Sequence, residues 1–441
     1  MSSGQDLATL GNDATVNGDQ TVTYDGVNFT AIQEGLATIL VRSRTSPHAT
    51  DTKKSKLKND GSAQSVFYNP VQQFNRDLSI LATKAFGEDY LARLHAGKNK
   101  RGKRRRYDKD QEEASIKRQC TNGASTEEAA VIANEQGHSA PRKHQSTNNF
   151  HASLLDGQVD SARLNTEPCM RKNEFRVLDA LSATGLRALR YAHELPFVTS
   201  VTANDLSRQA TDAIKLNVKH NKLEEKVKTA TSNANAHMYS AVNEGDDKGN
   251  SSKYQVIDLD PYGTVAPFID AALQALANDG LLCVTSTDTA VFASNSYPEK
   301  SFSLYGGLPV KGYHSHEVGL RLLLHAIASS AARYGLAIEP LLSLSIDFYA
   351  RLFIRVRKSP AEVKYLAGKT MIVYCCDAGC GAWKAQYLAK NSPMEAKDGT
   401  IWYKHTMAQA PTTSAHCEHC GFKMHVRLAF SYIRYVLSFW L

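Results

Sequence analysis

The chain has little of what would place it in a membrane or a disulfide-bonded scaffold. No stretch approaches the roughly 20 consecutive apolar residues of a membrane-spanning helix. Residues 428–441 are apolar and aromatic, but short and broken by Arg434. Residues 1–20 are polar and hold no apolar core of a secretory signal, and their charged residues are acidic, unlike those of a mitochondrial presequence. There is no internal repeat, no Gly-x-Gly-x-x-Gly fingerprint, which weighs against a pyrophosphate-bearing dinucleotide, and no motif of an obligate protein partner. Cysteine is scarce over most of the 441 residues: Cys120, Cys169 and Cys283 are scattered, while Cys375, Cys376, Cys380, Cys417 and Cys420 cluster near the end. That distribution fits an intracellular metal site better than a disulfide framework.

What is present is a composition 42% hydrophobic and 22% charged, with a net charge of +8. The length allows two domains and a large core, and the charge is compatible with a polyanionic partner. Residues 1–25 read as a disordered terminus, and residues 29–41 alternate as small strands do. Residues 66–86 read as a turn followed by a helix carrying Asn75-Arg76-Asp77. Between 94 and 150 the composition shifts to a basic run over 98–109 and then a polar tract poor in aromatics, the pattern of a disordered insertion. Its core Lys103-Arg104-Arg105-Arg106 suits nuclear import or RNA phosphates, and as readily a solvated charge run.

From residue 175 short apolar strands alternate with helices. Strands are expected at 175–178, 198–203, 227–231, 254–259 and 280–285, with helices at 186–193, 209–221 and 267–276. That order is an α/β doubly wound domain with a mostly parallel sheet. A helix over 318–334 followed by strands over 341–356 and 370–374 reads as a second, α+β domain.

Chemistry concentrates at the strand ends, where ligands of open α/β sheets bind. Asp179-Ala180-Leu181-Ser182-Ala183-Thr184-Gly185 is a small-residue loop between strand and helix. It suits a ligand without phosphate, such as S-adenosylmethionine. The next strand ends in Asn204-Asp205, an acid placed to bind ribose hydroxyls. The third is followed by Ser232-Asn233-Ala234-Asn235, a corner for an adenine edge. The fourth ends in Asp260-Pro261-Tyr262-Gly263. There a carboxylate, a rigid proline with a nearby carbonyl and an aromatic face can hold a planar base by its exocyclic amine. This tetrapeptide resembles the Asp/Asn-Pro-x-aromatic motif of amino-group methyltransferases. Taken singly, each element is also an ordinary turn.

Together these segments resemble the tRNA guanine-26 N2-dimethyltransferase family. The resemblance is carried by residues 66–72 with 75–79, the loop 179–187, and residues 204–207, 258–263, 284–288 and 313–317 with Leu320-Arg321. It implies a Rossmann-like class I methyltransferase domain over 26–310, interrupted by the insertion, and a family-specific tRNA-binding domain over 311–441. It further implies transfer of one and then a second methyl from S-adenosyl-L-methionine to N2 of guanine 26. Arg76, Arg187, Asp205, Asn233 and Ala234 are implied to contact the cofactor, Asp179 to support the loop, and Asp260 to be the main catalytic residue beside Pro261 and Tyr262. Asn233 stands where the family often has an acid. Residues 426–441 match nothing in the family pattern, so the C-terminal domain is expected to be incomplete, its apolar side chains either packed on the domain or exposed. Competing readings are an amino-group methyltransferase on another nucleic acid and a catalytically impaired tRNA-binding protein. The nucleus is the expected compartment, from the basic run, with the mitochondrion as the alternative.

Cys376-x3-Cys380 and Cys417-x2-Cys420 have the form of two knuckles, each second cysteine followed by glycine, and four thiolates suit a structural, tetrahedral zinc ion. Cys375 can replace Cys376, and His416 and His419 are alternative ligands.

Overall fold

The asparagine and proline of Asn69-Pro70 start the first long helix. In the computed structural model, which describes residues 16–17, 21–42, 68–96, 174–243, 252–294, 296–376 and 378–431, the Asn69 side chain accepts from Val71 N at 3.0 Å. Pro70 opens a 3-10 turn, Pro70–Gln72, and α1 follows over 73–96. Before it stands a four-stranded antiparallel sheet in sequential order: β1 (Val16–Asn17), β2 (Thr21–Tyr24), β3 (Val27–Glu34) and β4 (Ala37–Arg42). Residues 16–17 and 21–25, within the terminus expected to be disordered over 1–25, form strands and a turn, while 1–15 and 18–20 lie outside the described residues. Asp25 and Gly26 both have left-handed backbone, with φ of 49° and 73°, as the two-residue turn of a tight hairpin requires. That turn pairs Tyr24 with Val27 and fixes the register of β2 on β3.

The central sheet is built from β5 (Arg176–Asp179), β6 (Ser200–Asp205), β7 (Val227–Thr231), β8 (Tyr254–Leu259), β9 (Leu276–Ser286), β10 (Leu336–Ile346) and β11 (Tyr349–Lys358). Its order is β10-β11-β9-β8-β5-β6-β7. The first five of these strands in the chain run parallel, while β11 is antiparallel to β9 and β10 to β11. Between them lie α2 (Leu186–Glu194), α3 (Arg208–His220), α4 (Ala234–Asn243), α5 (Ile269–Ala275), α6 (Thr289–Phe292), α7 (Pro298–Tyr305) and α8 (Ser315–Ala332). The architecture is Rossmann-like.

Of the strands expected within a separate α+β domain, those over 341–356 are the antiparallel edge of this same sheet, whereas 370–374 lies in a second sheet. Residues 349–354 are buried at every position, because β11 lies between β9 and β10 with helices on both faces; a half-exposed sheet would alternate. The sheet-bearing domain therefore runs to Lys358, past the boundary expected at 310/311. β9 also begins earlier than expected. A register shift between the pairs Tyr254↔Leu276 and Val256↔Leu281 absorbs the extra residues, with Asp279 at φ 64°.

Alternation along the strands sorts the two faces. Leu178, Ile257, Leu282, Val284, Leu352 and Ile354 pack toward α4, α5 and α8. Val177, Val201, Val256, Leu281, Cys283 and Phe353 pack toward α1, α2 and α3. The second face is apolar low on the strands and ionic at their carboxyl ends, and that gradient positions the site.

Beyond Lys358, α9 (Pro360–Val363) and α10 (Leu366–Lys369) lead to β12 (Thr370–Cys375), β13 (Trp383–Tyr387), β14 (Ala389–Glu395), β15 (Ile401–Met407) and β16 (His425–Ser431). They form a sheet β13-β12-β16 and a hairpin β14-β15. Met371, Val373 and Cys375 share the core that contains α8. Of the insertion expected over 94–150, residues 94–96 belong to α1, and of the tail expected over 426–441, residues 426–431 lie in β16; the remainder of both falls outside the described residues.

Candidate active site

The ionic end of the α1/α2 face begins with two carboxylates in register. Asp179 ends β5 beside Asp258 on β8, and both are buried. Asp258 is claimed by two guanidinium groups and a phenol. Arg351 donates from Nη1 to Oδ1 and from Nη2 to Oδ2, each at 2.8 Å. Tyr191 donates its hydroxyl at 2.6 Å, and Arg187 Nη1 approaches at 3.3 Å. Burial opposes its ionisation, yet Arg187 and Arg351 hold the Asp258 carboxyl down at about 2. Among the described residues Asp179 has no ion pair. Burial pushes it up to about 7, with Arg187 pulling against the rise and Asp258 adding to it.

Arg187 comes from the first turn of α2 and is itself buried. Its Nη1 donates to Ser79 Oγ at 2.6 Å, and its Nη2 donates to Asp260 Oδ2. Ser79, on α1, also accepts from Arg351 Nη2 at 2.7 Å, and Arg351 Nη1 reaches Thr285 Oγ1 at 2.9 Å. One network therefore ties α1, α2, β8, β9 and β11 together beneath Asp260. The Asp260 side chain stays 27% exposed. One of its oxygens is fixed by Arg187, and the other is open to a ligand.

The loop carrying Asp260 is pinned from its far end. Gly263 has φ 79°; its N–H donates to Thr287 Oγ1 at 2.8 Å and its carbonyl accepts from Thr287 N at 2.9 Å. Pro261 is buried, whereas the Tyr262 ring is 83% exposed. A ring displayed beside a half-buried carboxylate offers a face on which a planar base can stack.

The loop after β5 is shaped by Ala183 at φ 48° and Gly185 at φ 80°. A Cβ on Gly185 would also meet Ile214 at 3.1 Å. Ser182 Oγ donates to Asp179 Oδ2 at 2.6 Å, and Ala183 N donates to Asp205 Oδ2 at 2.9 Å. Asn204, wholly buried, donates from Nδ2 to Ala180 O at 3.0 Å and to Ser232 O at 3.1 Å, stitching three strand ends together. Asn233 Oδ1 accepts from Asn235 N at 3.0 Å and Ala236 N at 3.3 Å, so it caps α4, whose first residue is the buried Ala234.

Asp179, Arg187, Asp205, Asn233, Ala234 and Asp260 thus line one end of the sheet. Arg76 is engaged elsewhere. Its Nε and Nη2 fork onto Glu34 at 2.7 and 2.6 Å, and Nη2 also reaches Asn69 O at 3.1 Å. Arg190 joins the same carboxylate at 2.9 Å. Against the effect of burial, Arg76 and Arg190 hold Glu34 below the usual carboxylate range. Arg76 therefore clamps the N-terminal sheet to α1. Sequence reasoning passed over Ser79, Tyr191, Asp258, Thr285 and Arg351. The available signal was a charge inside an apolar strand, as in Leu352-Phe353-Ile354 after Arg351, since an arginine so placed is buried only when paired.

The sulfurs of Cys376, Cys380, Cys417 and Cys420 all lie within 4.8 Å of one another, with Cys376–Cys420 at 3.4 Å and Cys380–Cys417 at 3.6 Å. Zinc–sulfur bonds of about 2.3 Å in a tetrahedron would set sulfurs about 3.8 Å apart, so the cluster has the right dimensions. Gly381 at φ 77° and Gly421 at φ 74° make the knuckle turns. A Cβ on Gly379 would sit 2.7 Å from Cys376 Sγ and 2.8 Å from Cys420 Sγ. Cys375 is packed in the core, which leaves Cys376 in the cluster; neither His416 nor His419 belongs to it.

The profile of the N2,N2-dimethylguanosine tRNA methyltransferase family matches residues 47–428. The tRNA (guanine(26)-N(2))-dimethyltransferase of Schizosaccharomyces pombe is 42% identical over 361 residues, 82% of this chain and 58% of that protein. The enzyme of that name from Saccharomyces cerevisiae, described as mitochondrial, is 40% identical over 82% of this chain and 56% of its own. The chain thus spans a little more than half the length of these relatives. The solved structure of Trm1 from Pyrococcus horikoshii with S-adenosyl-L-methionine superposes with a TM-score of 0.52 at 22% identity, covering 87% of this chain and 74% of that one; this likeness speaks for the fold. With a family match across most of its length and relatives of 40% and 42% identity, the chain belongs to the N2,N2-dimethylguanosine tRNA methyltransferase family.

Proposed function

We propose that the chain transfers methyl groups from S-adenosyl-L-methionine to N2 of guanine 26 in tRNA, giving N2-methylguanosine and then N2,N2-dimethylguanosine. The observation that carries this is Asp260: a carboxylate at the end of β8 with one oxygen fixed by Arg187 and the other open, in a chain of this family. The cofactor, when bound, supplies an electrophilic methyl. Small residues and two left-handed positions bring the loop backbone at 180–185 to the surface on which it would lie. Asp205 would hold the ribose hydroxyls. Asn233 and Ala234 would face the adenine, where Asn235 Oδ1 is a buried acceptor without a hydrogen-bond partner among the described residues. Asp179 would support the loop through Ser182. Arg187 acts on Asp260 and Arg76 on Glu34, so their part in cofactor binding is indirect.

The guanine amine is a weak nucleophile because its lone pair is delocalised into the ring. Asp260 and the carbonyl near Pro261 accept its hydrogens and orient it, so positioning supplies much of the rate; Asp260 is also placed to receive the released proton. A base within folded tRNA must be extruded to reach such a pocket, and Tyr262 offers a stacking surface for it. Beyond Lys358, the exposed Trp383, Trp402 and Tyr403 among lysines support a tRNA-holding role for the C-terminal part. Among the described residues no helix is long and apolar enough to cross a membrane. Nuclear delivery rests on the Lys103–Arg106 run.

Calorimetric titration with S-adenosylmethionine, followed by labelled-methyl incorporation into transcripts with guanine or adenine at position 26, tests the reading. Binding together with guanine-dependent incorporation supports it; equal labelling of both transcripts points to a different target.

The four-cysteine cluster would hold a structural zinc ion with no open coordination position. Elemental analysis should give close to one zinc per chain, and Cys380→Ser should lower both zinc content and melting temperature. Zinc-free, fully folded protein would refute the assignment.

A further inference from the structure

Tyr349 opens β11, directly after the two-residue turn Asp347-Phe348 that joins it to β10. β11 runs antiparallel to β9, with Arg351 opposite Thr285 and Ala350 opposite Ser286. The start of β11 therefore lies at the carboxyl end of β9 and of its parallel neighbour β8, the end that carries Asp260. Side chains alternate along a strand, so Tyr349 shares the face of Arg351 and Phe353, which is the face packed on α1 and α2. Arg351 meets Asp258. Through Cys283 the register sets Asp258 level with Phe353. Continued by two residues it sets Asp260 level with Thr285 and Arg351, and Tyr349 stands two residues nearer the strand end than Arg351. Tyr349 belongs to the same ionic cluster: its phenol responds to Arg351, Asp260, Asp347 and Arg187.

The side chain is 4% exposed, and among the described residues its buried hydroxyl has no hydrogen-bond partner. A buried hydroxyl left unpaired costs free energy, so such groups are rare in native structures and mark places where a ligand completes the bond. Burial above all pushes this phenol up to about 12. It keeps its proton at neutral pH and can donate.

Asp260 is an acceptor and by itself recognises any exocyclic amine. A donor beside it turns amine recognition into base recognition, because guanine presents an acceptor on either side of its C2 amine: N3 directly, and O6 beyond N1. We propose that the Tyr349 hydroxyl is a substrate-contacting group that donates to one of these two acceptors, O6 or N3, of the target guanine while Asp260 takes the hydrogens of its N2 amine. This rests on the guanine reading given above.

The test is single-turnover methyl transfer by the unaltered protein and by Tyr349→Phe. The tRNAs carry guanine, 2-aminopurine (no O6) or 3-deazaguanine (no N3) at position 26, and cofactor dissociation constants and melting temperatures are measured alongside. Tyr349→Phe should slow transfer to guanine by roughly 10- to 100-fold with cofactor affinity and melting temperature unchanged. The unaltered protein should lose a similar factor on one of the two analogues, and on that analogue the variant should lose nothing more. Unchanged transfer to guanine by the variant overturns the proposal. So do variant and analogue losses that multiply independently for both analogues, and so does a loss that tracks a fall in cofactor affinity or melting temperature. No transfer to guanine by the unaltered protein would remove the guanine reading itself, and this proposal with it.

Discussion

Asp260→Asn should reduce methyl transfer to tRNA by about 10²–10⁴-fold while the S-adenosylmethionine dissociation constant stays essentially unchanged. The amide has nearly the shape of the carboxylate. If its oxygen accepts from Arg187 as Asp260 Oδ2 does now, its NH2 turns toward the guanine amine, and a donor then faces a donor. The variant also loses the group placed to take the proton. The proposed cofactor surfaces, by contrast, lie at the ends of β5, β6 and β7, strands on the other side of β8 from β9. Single-turnover kinetics and calorimetry separate the two effects. Loss of cofactor affinity in parallel with rate would move Asp260 from the chemistry to the cofactor.

Arg351→Met should destabilise the fold by about 3–5 kcal/mol, the usual result of stranding one member of a buried ion pair. Both partners have side chains at 0% exposure, and Asp258 would lose its two-pronged contact and keep only Arg187 and Tyr191. Adding Asp258→Asn should restore part of the loss, because the stranded charge is then gone. Urea denaturation of the two variants measures this, and an Arg351→Met variant as stable as the unaltered protein would contradict it. The same network fixes the sign of the pH response. Asp258 is held at about 2 against an ordinary 3.8, so its ionised form stabilises the fold above that ordinary value, and the contribution is lost as pH falls through the folded value. Asp179, raised from 3.8 to about 7, has the opposite sign: folding favours its acid, and stability falls as pH rises across that window and levels off above it.

The order of strand-end motifs was legible in the chain because each loop follows a short apolar run and carries its own chemistry. The four-cysteine site was legible from spacing alone, apart from the choice of Cys376 over Cys375, which depends on the direction in which β12 faces the core. Three features were not. β10 and β11 follow the long helix α8, and sequence periodicity does not say which sheet a later strand joins. The hairpin at Asp25-Gly26 sits in a polar stretch whose composition resembles a loose terminus, although its turn residues favour a paired strand. Arg187 occupies the helix turn nearest the small-residue loop after β5, which suggests a ligand contact. Only the fold shows that Asp258 and Asp260, two residues apart along the chain, both claim its guanidinium.

The most direct test of the central claim is mass spectrometry of position-assigned nucleosides from a tRNA transcript incubated with this chain and S-adenosylmethionine. N2-methylguanosine and N2,N2-dimethylguanosine are expected at position 26, and neither when that guanine is replaced by adenine. Methylation confined to another position, or none at all from a protein that binds the cofactor, would contradict it.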